Sequence, residues 1–191
     1  MRKKLSRVLM ILGILLAVSA VVLFLGSHWM AGRNATLARE TAEKMLELMP
    51  PVADGAPDGR LNVEMTVLEL GGEDFCAVLE IPAYDVLLPV SNAWDGGSVG
   101  EYPRRYAGSV HDSTLVVGGS DAKGQLACVE MLSIGDTLSV IDTAGVRYTY
   151  TVKWVEKTSD VSRENLCKDE YALTLFARNT YGGEYTLIRC E

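Results

Sequence analysis

From Met65 onward the chain keeps returning to one local pattern, a short apolar, β-branched run closed by a turn residue. The runs read MTVLEL, FCAVLEI, DVLLPV, STLVVGG, DTLSVID, VRYTYTVKWVE, ALTLFA and EYTLIRC. Such runs, bounded by Gly, Pro, Asp or Ser, are strands. VRYTYTVKW alternates apolar or aromatic with polar residues, as a half-buried strand does. Thr143, Ala144 and Gly145 separate two runs and read as a hairpin turn. About eight strands with few helices between them leave a closed barrel or a sandwich as the available architectures. Short helical pieces are expected over residues 126–132 and 160–165. No internal repeat is visible.

Before the strands the sequence changes character. Residues 8–26 are 19 positions without a charge, dominated by Leu, Ile and Val. At about 1.5 Å per residue they would cross the roughly 30 Å hydrocarbon core of a bilayer. Arg2, Lys3, Lys4 and Arg7 precede the run, which places residues 1–7 in the cytoplasm by the positive-inside rule. A cleaved signal peptide, with Val18-Ser19-Ala20 as its small-residue site, is the competing reading. The apolar run continues through Val21 to Leu25, longer than an ordinary signal core, so an uncleaved single-pass anchor is expected. Residues 27–64 then hold a juxtamembrane helix and a linker. Asn34 is a suitable cap for a helix reaching about Leu48, with Leu37, Met45, Leu46 and Met49 apolar and Pro50-Pro51 as its stop. Ala53 to Arg60, ADGAPDGR, has linker composition. Residues 65–191 form the β-domain, outside the cell.

Charge and cysteine usage narrow the function. Residues 1–26 hold 4 of the 18 Lys and Arg and none of the 25 Asp and Glu, so the remainder, with 14 bases, carries −11. That sign disfavours nucleic acid and anionic lipid surfaces as partners. Cys76, Cys128, Cys167 and Cys190 form no C-x-x-C pair. With His28 and His111 as the two histidines, no metal-ligand spacing is present, and no cofactor is expected.

Four blocks, in order, resemble the sortase family of membrane-anchored cysteine transpeptidases of Gram-positive bacteria. FCAVLEIPAYDVLLPV (75–90) is similar to that family's opening strand pair. RYAGSVHDSTLVVGGSD (105–121) resembles its R-Y-x-G-S…N-x-V-I-A-G-H-N segment. LSIGDTLSVIDTAGVRYTYTV (132–152) resembles its L-x-x-G-D hairpin. LTLFAR followed by TLIRCE (173–191) resembles its closing strands, where LTL-x-T-C carries the nucleophile. The resemblance implies an eight-stranded β-barrel and a transpeptidation in which a cysteine attacks a sorting signal such as LPxTG. It also implies partners: a sorting-signal-bearing surface protein, an active sortase, and the membrane through the N-terminal helix.

The resemblance also implies three site positions, and two hold the wrong chemistry. The family histidine falls on Ser120, whose hydroxyl does not titrate near neutral pH. The family cysteine falls on Arg178, whose guanidinium stays protonated and offers no nucleophilic lone pair. The family arginine, which stabilises the oxyanion, is retained as Arg189. A shifted alignment would put Ala177 at the cysteine position, but needs a gap and leaves the missing histidine unexplained. His111 reads as an exposed turn residue. Cys190 follows Arg189, and adjacent strand residues point to opposite faces. The expectation is a sortase-like protein without transpeptidase activity that binds a peptide or assists surface-protein or pilus anchoring. The alternative is an active transpeptidase with a displaced thiol. Arg178 and Arg189 are expected close together, with Asp112, Asp121 and Glu184 as candidate internal partners, or an outside anion between them.

Overall fold

The computed structural model describes residues 2–57, 64–92, 94, 101–180 and 182–191, with side chains for all of these except 2–9, 11, 24, 25 and 27–31. Its helices are α1 (Arg2–Leu48) and α2 (Arg163–Leu166). Its strands are β1 (Ala53–Asp54), β2 (Leu68–Leu70), β3 (Glu73–Ile81), β4 (Val86–Ser91), β5 (Arg104–Ala107), β6 (Leu115–Ser120), β7 (Thr137–Asp142), β8 (Val146–Thr158), β9 (Leu173–Arg178) and β10 (Tyr185–Cys190).

Eight of the ten strands close on themselves. The hydrogen-bonded order is β3-β4-β5-β6-β9-β10-β8-β7, and β7 returns to β3. The β4–β5 and β6–β9 neighbours are parallel, the other neighbours antiparallel. β2 extends the sheet beside β3, and β1 adds to β8. The number eight is met, yet by a different set than the sequence suggests. Of MTVLEL, Leu68–Leu70 alone is strand, and it lies off the ring. The eighth ring member is β5, whose RRYA sequence carries no alternation and four half-buried side chains.

Alternation sorts the side chains between two faces. The interior holds Ala77, Leu79, Ile81, Leu88, Val90, Leu115, Val117, Val140, Tyr148, Tyr150, Leu173, Leu175, Ile188 and Cys190. Outside the ring lie two smaller clusters. One joins Ala42 and Met45 of α1, with Met49 just past its end, to Phe75, Val78 and Ile141; the other joins Val116, Phe176 and Leu187 to Leu166 of α2. This explains the unbroken apolar runs FCAVL and LTLFA: β3 and β9 are covered on both faces, so alternation disappears from their sequences.

The N-terminal region differs from the two separate helices expected. α1 is continuous from Arg2 to Leu48, so Asn34 lies mid-helix and caps nothing. Its barrel-facing stripe is Ala38, Ala42 and Met45, continued by Met49 just past its end at spacings of four, three and four residues, one face of a helix. Leu37 is exposed. Among the described residues no helix is long and apolar enough to cross a membrane. The expected span over residues 8–26 falls in part on side chains outside the described residues. Within the expected linker, Ala53–Asp54 pairs with Val146 and Arg147 as β1, and residues 58–63 lie outside the described residues. The two short helices shrink to a 3-10 turn, Ala127–Glu130, and the single turn α2, capped by the Ser162 hydroxyl accepting from the Asn165 N–H at 3.3 Å.

Candidate functional site

β6 and β9 run side by side in parallel, with Ser120 in register with Arg178 at their C-terminal ends. The two positions singled out in the sequence are therefore brought together. Beyond Ser120 the chain turns sharply. The Leu126 N–H bonds the Ser120 carbonyl at 3.0 Å, and the Gln125 amide oxygen accepts from the Ser120 N–H (2.8 Å) and hydroxyl (2.9 Å). The same hydroxyl accepts from the Ala122 N–H at 3.3 Å. Ser120 is buried, and its hydroxyl is engaged as both donor and acceptor in closing a turn.

Asp121 links this turn to the loop after Arg178. Its N–H bonds the Arg178 carbonyl at 3.0 Å, and its carboxylate accepts from the Thr180 N–H at 3.1 Å and from the Thr180 hydroxyl. The Arg178 side chain is exposed. Of its expected ion-pair partners, Asp121 holds Thr180 and Asp112 accepts from the Thr114 hydroxyl at 2.6 Å. Among the described residues no ion pair joins either of them, or Glu184, to Arg178.

Arg189 is elsewhere. In the β9–β10 ladder Arg178 faces Tyr185, whereas Arg189 faces Thr174, four positions along the strand. At about 3.3 Å per residue the separation is about 13 Å. Phe176 and Leu187 occupy the same face between them. The expected convergence of the two guanidiniums is thus not met. The sequence places both arginines near strand ends, but the antiparallel return puts them at opposite ends of the ladder. Arg189 is buried: Nη2 donates to the Asn165 side-chain oxygen at 2.7 Å and backbone oxygen at 3.3 Å, and lies 3.7 Å from Glu156. Its guanidinium carbon also sits 5.1 Å from the Tyr171 ring centre. It ties the 158–172 segment to β10.

Among the described side chains no thiol or imidazole approaches Arg178. Cys76 and Cys190 face the barrel interior and Cys128 is buried in the same core; burial pushes each of these thiols up to about 12. Cys167, half-buried beside α2, is also raised by desolvation, with Arg163 opposing the shift. All four are free. His111 precedes β6, so the whole strand, about 17 Å, separates it from Ser120. It packs edge-on to Tyr148 with ring centres 6.3 Å apart, and its N–H bonds the Ser109 hydroxyl. Ala177 points into the barrel core. Among the described residues no group of three His, Cys, Asp or Glu side chains is placed to hold a metal ion.

The sequence reading missed the aromatic floor behind the site. Trp94 packs on Tyr106 (5.1 Å between ring centres) and Phe176 (5.5 Å), Tyr106 on Phe176 (5.6 Å), and Phe176 on Tyr185 (6.3 Å). These rings come from four segments. A local signal was Gly118, where an added Cβ would lie 2.3 Å from the Phe176 ring.

No protein family matches the sequence, nor does any curated protein. Solved structures do. A sortase D5 transpeptidase from Clostridium perfringens aligns with a TM-score of 0.52 at 12% identity, over 62% of this chain and 78% of that one. Sortase A from Corynebacterium diphtheriae gives 0.51 at 16% identity, over 84% and 83%. Sortase C1 from Streptococcus suis gives 0.50 at 18% identity, over 61% and 72%. At these identities the likeness is one of fold.

Proposed function

We propose that this chain, which has the sortase fold, is a membrane-anchored surface protein that binds a peptide and does not catalyse transpeptidation. The observation that carries the reading is Arg178 standing in register with Ser120 at the ends of β9 and β6. Thioacyl chemistry requires a thiolate and a group that protonates the leaving amine. Arg178 offers a fixed positive charge, and the Ser120 hydroxyl is held within its own turn. The four thiols are free but buried or half-buried, with their ionisation suppressed.

What remains at that end of the barrel is an exposed guanidinium over an aromatic floor. This suits a carboxylate, at an acidic side chain or a chain terminus, flanked by apolar residues. A peptide of a sorting-signal-bearing surface protein, or an active sortase, is the class of partner. The anchor reading rests on the uncharged residues 8–26 behind four basic residues; a helix apolar on all sides needs a lipid or protein environment. The N-terminus is then cytoplasmic and the barrel external, on a Gram-positive cell.

Two measurements test this. Full-length protein is incubated with a thiol-reactive sorting-signal analogue and analysed by mass spectrometry; no adduct is expected, and an adduct at any cysteine restores the displaced-thiol enzyme. Acidic peptides are titrated against wild type and Arg178→Ala, with an affinity loss of about tenfold expected, or about 1.4 kcal/mol. Equal affinity, or no binding to either, removes the anion-site reading.

A further inference from the structure

β8 is longer than the strand beside it. On one edge it pairs with β10 from Val152 to Thr158, with Lys153 as the extra residue of a β-bulge opposite Arg189 and Cys190. On the other edge the β7 ladder ends at Thr137 against Thr151. The Val152 N–H and carbonyl then bond Asp136 and Gly135 at 2.8 and 2.9 Å. Beyond that point, among the described residues, no backbone group bonds the second edge of residues 153–158. That leaves about 20 Å of open strand.

The side chains of this stretch are exposed for the same reason. Val155 faces Ile188 of the interior and Lys157 faces Thr186, while Trp154 and Glu156 lie on the outer face with Arg189 and Leu187. No strand stands on the far side, so Trp154 is 53% and Val155 39% exposed. Met131 and Ile134, just before the Gly135 contact, are exposed too. Lys153 and Lys157 meet Glu191 and Glu130 in solvent-facing pairs at 3.2 and 3.8 Å, contacts worth little in water. A bulge and lysines are devices by which an open edge avoids its own copies. The exposed Trp154 and Val155 serve no such purpose.

A second copy of the chain fits this edge poorly. A two-fold axis pairs residues of the same face, so an antiparallel register is centred on Trp154, Val155 or Glu156. Centred on Val155, Lys153 meets Lys157; on Glu156, two carboxylates meet; on Trp154, the Lys153 ammonium meets Val155. Like charges directly opposite destabilise a strand pair. The chain beyond the apolar run also repels itself, with 14 bases against 25 acids.

We propose that residues 153–158 take an extended segment of another protein as an added antiparallel strand, continuing along β8 where β7 leaves off. Its chemistry follows from the facing pairs: an acid opposite Lys157, a base opposite Glu156, then β-branched or aromatic residues opposite Val155 and Trp154. Read from its own N-terminus, the segment is acid, base, apolar, apolar. β10 stands between this edge and Arg178, so the two sites are separate.

The test uses the full chain in detergent micelles and a fluorescein-labelled, end-blocked peptide, Thr-Glu-Lys-Val-Tyr-Thr, read by anisotropy. Saturable binding is expected, weakened about tenfold in Trp154→Ser and several-fold in Lys157→Glu. Both positions are exposed, so both variants should keep the wild-type melting temperature. The peptide with Lys in place of its Glu should bind Lys157→Glu better than wild type. Hydrogen exchange at residues 153–158 should slow in the complex. Methylating alternate peptide amides should abolish binding in one phase and spare it in the other, since a strand offers alternate N–H groups to each neighbour. Equal effects in both phases, unchanged binding in Trp154→Ser, or no binding at all overturns the strand addition. Loss of binding in Arg178→Ala assigns the peptide to the other site and overturns it as well. Self-association of the chain that Trp154→Ser abolishes overturns the choice of partner.

Discussion

Gly118 occupies the point where the β6 backbone approaches the flat of the Phe176 ring, and there is no room for a methyl group. The ring cannot retreat, because Trp94, Tyr106 and Tyr185 hold it. Gly118→Ala is expected to destabilise the protein by about 1–3 kcal/mol, and Phe176→Leu in the same chain to recover part of that, both read from urea midpoints. The thiols give a second residue-scale expectation. A thiol reagent at pH 8 should modify at most one cysteine, Cys167, in the native protein and four after unfolding. Cys76, Cys128 and Cys190 are held protonated well above the ordinary value of 9.0, up to about 12. In the unfolded chain these thiols ionise first, so the stabilisation is full below pH 9 and declines as pH rises from 9 to about 12. At pH 10 each buried thiol should cost about 1.4 kcal/mol relative to pH 7; a smaller loss in Cys128→Ser than in wild type checks the assignment.

At the scale of elements, two attachments keep the outer faces of the barrel covered. Arg189 fastens the 158–172 segment by its bonds to Asn165, an arrangement of charge-assisted hydrogen bonds. Arg189→Ala should cost about 2–3 kcal/mol and, in hydrogen exchange, release Asn165 and Leu166 while leaving β3 protected. Retained protection at α2 would show that the apolar contacts of Leu166 suffice. α1 attaches through small residues: Ala38 and Ala42 are fully buried, so the helix lies close on β3 and β4. Ala42→Leu should destabilise by about 1–3 kcal/mol, measured by thermal melting, while substitution of exposed Leu37 by Gln should change little.

For the whole molecule, closure of the eight-stranded ring sets the relation between the two candidate positions and Arg189. The parallel β6–β9 pair aligns Ser120 with Arg178, and the antiparallel β9–β10 pair carries Arg189 away from them. Among the described side chains, neither a thiol nor an imidazole lies beside the guanidinium at position 178. Replacing Arg178 by Ala should weaken the binding of acidic peptides without unfolding the barrel, read from circular dichroism alongside the titration.

Local chemistry in the chain was enough for several features. The Thr143–Gly145 hairpin, the alternating β8 and the helical turn around Asn165 follow from residue types within a few positions of each other. That a guanidinium at position 178 and a hydroxyl at position 120 supply neither thiolate nor imidazole chemistry follows from side-chain chemistry alone. The strand RRYA was not legible, because its pairing is supplied by β6 and a single bridge to β4 and not by its own apolar pattern. The separation of Arg178 from Arg189 depends on register, and the aromatic floor depends on four segments distant in sequence. Hydrophobic period and residue chemistry act over a few residues, whereas register and element docking arise when distant surfaces pack, and that information appears with the tertiary structure.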